Sequence, residues 1–339
     1  METFFHPRSE IENRGPLLLI INGTITGVAT LIVGLRVASR VFIVKMLGVD
    51  DWMMVAAMIF AILNVVVAGL GVKYGTGRHK WDVPKADVVP TAKVQYVTHI
   101  IYTLISGLIK VSICLLYLRV FPNIRIISLA TIAFVTAMSV AIILATIFQC
   151  SPVDAVYDEQ KYKHYTCFPS IPFWYATAAL SLVTDIWILL LPLKTVLGLH
   201  LRTGKRFIIA GLLSLGSFAC IASIVRMAYI VKFYQSSDPS WDTFGISIWS
   251  GIEMAVAIIA ASIPATKPIM TKLFPRLVPS STGESHSVSH RVYPSGSRSQ
   301  STPRRYRRDS IPLSLFTRRE GSDTGDDEST KAITHTNEP

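Results

Sequence analysis

The 339 residues are 50% hydrophobic and only 16% charged, with a mean hydropathy of +0.44, whereas a soluble domain is roughly a quarter charged. That excludes an ordinary water-soluble globule. The net charge of +11 does not point to nucleic acid, because many of the Lys and Arg residues lie beyond Met270 or between apolar runs, where a basic cytoplasmic face accounts for them.

In chain order, the opening Met1 to Pro16 is too polar for a signal peptide, which needs an apolar h-region and a cleavage site, so the first span is expected to act as the insertion signal. Crossing the hydrocarbon takes about 20 apolar residues in a helix, about twice the length of a barrel strand. Seven runs meet that length: Leu17 to Val37, Asp51 to Val72, Val94 to Leu118, Ile126 to Gln149, Pro172 to Leu193, Phe207 to Val231 and Phe244 to Pro268. The expected fold is an all-α, seven-helix membrane bundle with the lipid bilayer as its main partner. It spans residues 17–270, after a short extracellular N-terminus at 1–16 and before a disordered, basic, Ser- and Thr-rich cytoplasmic tail at 271–339. Asn22-Gly23-Thr24 is a glycosylation triplet inside the first run, too close to the membrane to serve as an acceptor.

Seven spans put the termini on opposite sides. With the N-terminus outside, Arg36, Arg40, Lys45, Arg119, Arg125, Lys194, Arg202, Lys205 and Arg206 fall inside, against Lys73, Arg78, Lys80, Lys85 and Lys93 outside, a slight positive-inside bias. The same orientation puts Cys150 and Cys167 in the outer connection between spans four and five, where an oxidising compartment favours a disulfide over two free thiols.

Charged residues deep in a span ask for a partner or a purpose. Lys110 in span three and Asp185 in span five each sit about 8 or 9 residues from the inner edge, roughly 12–14 Å. Arg226 in span six and Glu253 in span seven lie about 5 and 9 residues from the outer edge, within reach of each other along a long Arg side chain. These pairs either brace the bundle or line a polar interior that binds a ligand or moves a proton. Tyr96, His99 and Tyr102 recur at i, i+3 and i+6 on one face of span three; with Trp249 they either line an outward-facing cavity or form an aromatic belt. Small residues in span six are read as helix-packing sites, and Pro192 and Pro264 as tolerated or hinge-forming prolines near inner span ends. No catalytic motif, metal site or cofactor site is found. In the tail, Arg307-Arg308-Asp309-Ser310 makes Ser310 a candidate phosphorylation site, and the Arg cluster a lipid contact.

Several stretches in order carry a family resemblance: Gly48-Val49-Asp50-Asp51-Trp52, Gly75-Thr76-Gly77-Arg78-His79, Lys110-Val111-Ser112 with Tyr117-Leu118-Arg119, Phe148-Gln149-Cys150-Ser151-Pro152 with Cys167, Asp185 with Leu191-Pro192, Ser223-Ile224-Val225-Arg226, and Glu253 with Ile263-Pro264. Over about residues 16 to 273 the chain resembles the fungal rhodopsin-domain integral membrane family. The resemblance implies a seven-helix, receptor-like protein; some relatives look like receptors for surface or nutrient cues, and others are encoded among secondary-metabolite genes. Retinal proteins hold their chromophore on a lysine in the middle of span seven, whereas this span has only Lys267 at its inner end, so light sensing is not expected. Where the family often has a Trp after its Cys-x-Pro, this chain has Tyr157.

The leading expectation is a plasma-membrane receptor without a cofactor, binding an unknown small molecule near His99, Arg226 and Glu253 and signalling to a cytoplasmic partner. The alternative is a transporter or an accessory protein of a secondary-metabolite pathway, with Lys110 and Asp185 on its path.

Overall fold

In the computed structural model, residues 13–158, 161–197 and 203–273 are described. They form seven helices: α1 (Gly15–Ala38), α2 (Val49–Tyr74), α3 (Lys85–Val120), α4 (Arg125–Ile147), α5 (Ser170–Leu197), α6 (Thr203–Gln235) and α7 (Pro239–Leu273). Each contains a window apolar enough to cross a bilayer. Large apolar side chains such as Ile20, Leu31, Phe42, Ile59, Val66, Ile126 and Val183 point away from the bundle, which suits hydrocarbon rather than water. The chain is a multi-pass membrane protein.

The helices outrun the apolar windows read from sequence, most of all α3, which begins at Lys85 and carries Pro90 in its first turns. Helical backbone bonds can continue past the hydrocarbon edge, whereas hydropathy falls there. At the other end of α1, helical winding continues as a π-turn over Ser39–Val44. Arg36 and Arg40, expected in an inner connection, therefore stand on the helical segment itself. Lys45 then takes a left-handed conformation (φ 56°) that stops the winding. Helix α2 opens on Gly48, whose N–H donates to Asp51 Oδ2 at 3.0 Å, so one orphan N-terminal group is satisfied by the side chain one turn ahead.

Around the bundle, α1 packs on α2 and α7, α2 on α3, α3 on α4, α5 on α6 and α6 on α7, with α3 also reaching α5 and α7. That central place explains why 56% of the apolar window of α3 is buried, against 17–39% for the other helices. The main apolar core joins Ala29 and Val33 of α1, Met54, Ala57 and Met58 of α2, Ile101, Ile105 and Ile109 of α3, and Met254, Ala255 and Ile258 of α7. A smaller one joins Cys114, Tyr117, Val135 and Ile188. Gly107 lets α3 and α4 approach so closely that a Cβ there would lie 2.7 Å from Ser139 Oγ.

Between α4 and α5 the chain makes a two-stranded antiparallel hairpin, β1 (Cys150–Ser151) with β2 (Thr166–Cys167), in which Cys150 and Cys167 are register partners and are joined as a disulfide. A bond closing a loop of 17 residues restricts the unfolded chain by about 3 kcal/mol in the chain-entropy model. The start of α1 lies at this same end, with the Arg14 N–H donating to Gly77 O at 3.0 Å. Residues 274–339, including Ser310 and the Arg304 to Arg308 cluster, lie outside the described residues.

Candidate functional site

At the hairpin end the helices part around a cavity of about 300 Å³. Each helix offers one face to it, and the lining residues recur at helical spacing: Tyr96, His99 and Tyr102 with Thr103, Ser106 and Lys110 on α3; Trp174, Thr177, Ala178 and Ser181 on α5; Arg226, Ile230, Phe233 and Tyr234 on α6; Thr243, Ile246, Ser247 and Ser250 on α7. Asn22 of α1 and Asn64 of α2 complete the far wall. Asn22, the first residue of the glycosylation triplet set aside above as too close to the membrane, is buried and donates to Ser247 O at 3.4 Å.

The deep charged residues meet in pairs. Lys110 Nζ lies 3.2 Å from Asp185 Oδ1 and donates to Ser181 O, Ser181 Oγ and Thr184 Oγ1 at 3.0, 2.9 and 2.7 Å. An ammonium has only three protons, so all are engaged by α5. Arg226 Nε lies 2.9 Å from Glu253 Oε2. That contact is close but off-line, since neither atom has a hydrogen-bond partner in the described structure, so it acts as a charge pair. Glu253 Oε1 instead accepts from Ser223 Oγ at 2.6 Å and Tyr102 OH at 3.1 Å. The Arg226 guanidinium stacks on the Tyr102 ring with its Cζ 4.5 Å from the centroid.

His99 packs its ring against Trp174, centroids 3.7 Å apart, and its Nε2 is enclosed with no hydrogen-bond partner among the described residues. Trp174 was not singled out from sequence, although it lies eleven residues, or three turns, before Asp185 and so on the same face of α5. Trp249 does not join the cavity wall. It is half-buried and adjacent to the lining residue Ser250, and one residue along a helix is a rotation of about 100°, which turns it off that face. Asp185 and Glu253 are also absent from the lining, standing behind the two cations that face the cavity.

A second charged cluster lies at the opposite end. Arg36, only 1% exposed, donates from Nε to Asp51 Oδ1 at 2.8 Å, from Nη2 to Asp50 Oδ2 at 2.7 Å and from Nη1 to Ala261 O at 2.7 Å. Arg40 approaches the same two carboxylates at 3.4–3.6 Å, and Arg119 lies 3.9 Å from Asp50. Ser112 Oγ donates to Asp50 O at 2.8 Å. The cluster ties α1, α2, α3 and α7 together.

Around the cavity mouth, His79 lies between the rings of Trp81 and Trp241, at 4.7 and 4.0 Å, with its Nδ1 2.6 Å from Asp238 Oδ2. Arg14 caps the stack over Trp241 at 4.0 Å. In the hairpin loop, Asp154 accepts from Tyr157 OH at 2.6 Å and lies 3.5 Å from Lys161 Nζ. The Tyr157 hydrogen bond, aided by Lys161, holds the Asp154 carboxyl below its ordinary range, and the same bond raises the Tyr157 phenol.

A seven-helix membrane bundle with a cavity at its hairpin end and paired buried charges defines the class. Residues 35–272 match the fungal rhodopsin domain, and the chain belongs to that family. It is similar to the polyenoic acids biosynthesis gene cluster protein Ba17b of Metarhizium anisopliae, with 27% identity over 77% of this chain and 76% of that protein. A SAT4 family membrane protein of Emericella nidulans is 30% identical over 60% of this chain and 52% of its own length. Receptor GIN3 of Arthrobotrys oligospora is 28% identical over 80% of this chain, which spans 66% of that receptor. No solved structure matches.

Proposed function

We propose that this protein is a receptor-like sensor of a small molecule, set in the plasma membrane with its N-terminus and hairpin outside, passing the binding event through α7 to a cytoplasmic partner. One observation carries the reading. The cavity is blind: none of its lining residues lies deeper than Lys110 on α3 or Arg226 on α6, and past them Met54 and Ile258 and Cys114, Tyr117 and Ile188 are packed in the bundle, with the Arg36 cluster at the inner end. A blind pocket bordered by α7, whose lower half engages Arg36, suits a sensor better than a conduit. The Cys150–Cys167 disulfide supports the outer placement of the hairpin, and Arg36, Arg40, Lys45, Arg119 and Arg125 at the other end support the inner one. The relative named as a receptor adds to this reading.

The alternative, a transporter or pathway accessory protein, draws on the relatives named for biosynthesis clusters and on the Lys110–Asp185 pair. Purified protein in nanodiscs, screened by thermal shift against a small-molecule library and then reconstituted for flux, separates the two. The sensor reading expects stabilising molecules and no flux. Flux that depends on a pH gradient and disappears in Asp185→Asn overturns it.

A further inference from the structure

The sensor reading leaves the ligand open; resting on it, the cavity wall itself restricts the class. Its charged lining residues are Lys110 and Arg226, and no Asp or Glu is among them. The counter-ions Asp185 and Glu253 stand behind these cations. The field facing the cavity is therefore positive although the pairs are balanced overall. The two cations differ in what they can still offer. Every Lys110 proton is engaged by α5, whereas Arg226 spends only its Nε side on Glu253.

Arg226 is 5% exposed. Its Nε is enclosed by protein, but Nη1 and Nη2 are not, and neither has an acceptor among the described residues. Its guanidinium lies over the Tyr102 ring, Cζ 4.5 Å from the centroid, and both side chains line the cavity. Two unpartnered nitrogens on one rigid edge match the two oxygens of a planar acceptor, and unmet donors of this kind in a buried site ask for a partner. The remaining wall is uncharged, with polar side chains such as Asn22, Asn64 and Ser250 beside an aromatic and aliphatic part made of Trp174, Phe233 and Ile142.

We infer that the cavity takes a monocarboxylic acid with an apolar body, its carboxylate held by the Nη edge of Arg226 and its body lying toward Trp174 and Phe233. Glu253 is held through Oε1 by Ser223 and Tyr102 and meets Arg226 on the Nε side, so a ligand carboxylate on the Nη edge does not have to displace it. The same chemistry is offered by a free acid or by the anionic head of a phospholipid, and the test separates these sources.

The probe is decanoate, with decanol and decanamide as uncharged controls, added to the full chain in phosphatidylcholine nanodiscs and read by thermal shift. Arg226→Gln alone would leave Glu253 as an unpaired buried charge, so the decisive variant is R226Q/E253Q, with Ala92→Phe to fill the cavity. Decanoate is expected to stabilise the wild type more than either control, with binding weakened roughly tenfold or more in R226Q/E253Q and lost in Ala92→Phe. Equal stabilisation by decanol or decanamide, lost in Ala92→Phe, overturns the acid while leaving the small-molecule pocket standing. A decanoate shift unchanged in R226Q/E253Q or in Ala92→Phe overturns it as well, as does the absence of any decanoate shift. Stabilisation by phosphatidylglycerol nanodiscs in place of decanoate overturns the free acid in favour of the phospholipid.

Discussion

Arg36 Nη1 donates to the carbonyl of Ala261 at 2.7 Å, three residues before Pro264 in α7. A proline removes one backbone bond and crowds the carbonyl four residues earlier, so this is the turn of α7 least able to hold itself. A buried guanidinium on α1 supports it from the side, while the same side chain engages Asp50 and Asp51. Replacing Arg36 with Met leaves two buried carboxylates short of their main partner and is expected to cost about 3–5 kcal/mol. R36M/D50N/D51N, which removes the charges together, is expected to recover most of that loss. Unfolding by denaturing detergent in mixed micelles measures both, and a single variant no worse than the triple would show that the cluster is not a clamp.

Glu253 is held by two hydroxyl donors as well as by Arg226. A double-mutant cycle through R226Q, E253Q and R226Q/E253Q should therefore give a coupling of about 0.5–3 kcal/mol. The hydroxyl bonds survive in part when Gln replaces Glu253, which keeps the single E253Q variant mild. A coupling indistinguishable from zero would mean that the off-line contact contributes nothing.

At Gly107, even a methyl group would press on Ser139 Oγ at 2.7 Å and Ser139 Cβ at 3.2 Å. Gly107→Ala is expected to destabilise by about 1–3 kcal/mol through overpacking, despite the better helix propensity of Ala. Adding Ser139→Ala removes the nearer atom and should restore part of the loss. A stabilised Gly107→Ala protein, read by thermal melting, would contradict the close approach of α3 and α4.

In the hairpin loop, the sign of the pH response follows from two opposed directions. The Asp154 carboxyl titrates below its ordinary value, so its contribution to loop order is present above the unfolded value and lost as pH falls through the folded one. The Tyr157 phenol titrates above its ordinary value, so its contribution is complete below the unfolded value and lost as pH rises through the folded one. Hydrogen exchange across residues 150–167 should show protection at intermediate pH and loss at both ends. Asp154→Asn should flatten the acid limb; an unchanged acid limb would separate Asp154 from loop order.

How much of this was legible in the sequence depends on the kind of signal. The seven crossings were, because a run of about 20 apolar residues has few other uses. Helix ends were less so: hydropathy marks the lipid edge, not the last backbone bond, which is why α3 starts nine residues before the apolar run at Val94. Residue depth brought Lys110 toward Asp185 and Arg226 toward Glu253, since depth along a span is nearly linear in residue number. Phase about the helix axis was harder to fix, and Trp249, read either for a cavity or for an aromatic belt, does not line the cavity. Arg36 and Arg40 were read as loop charges because they border an apolar run; the Asp50-Asp51 pair one connection away was the signal that they had partners. Trp81, Trp241 and Arg14 came together only through loop geometry that no periodicity encodes.

The Lys110 ammonium has one further consequence. Helices α3 and α5 meet sparsely elsewhere, and this group gives all three of its protons to one turn of α5. With Trp174 on His99 above and Ile188 beside Cys114 and Tyr117 below, that bond is the middle of three rungs between the two helices. From Ser181 to Trp174 is seven residues, roughly 10 Å, so the rung that sets the height of α5 at Lys110 also sets where the Trp174 ring meets His99 on the cavity wall.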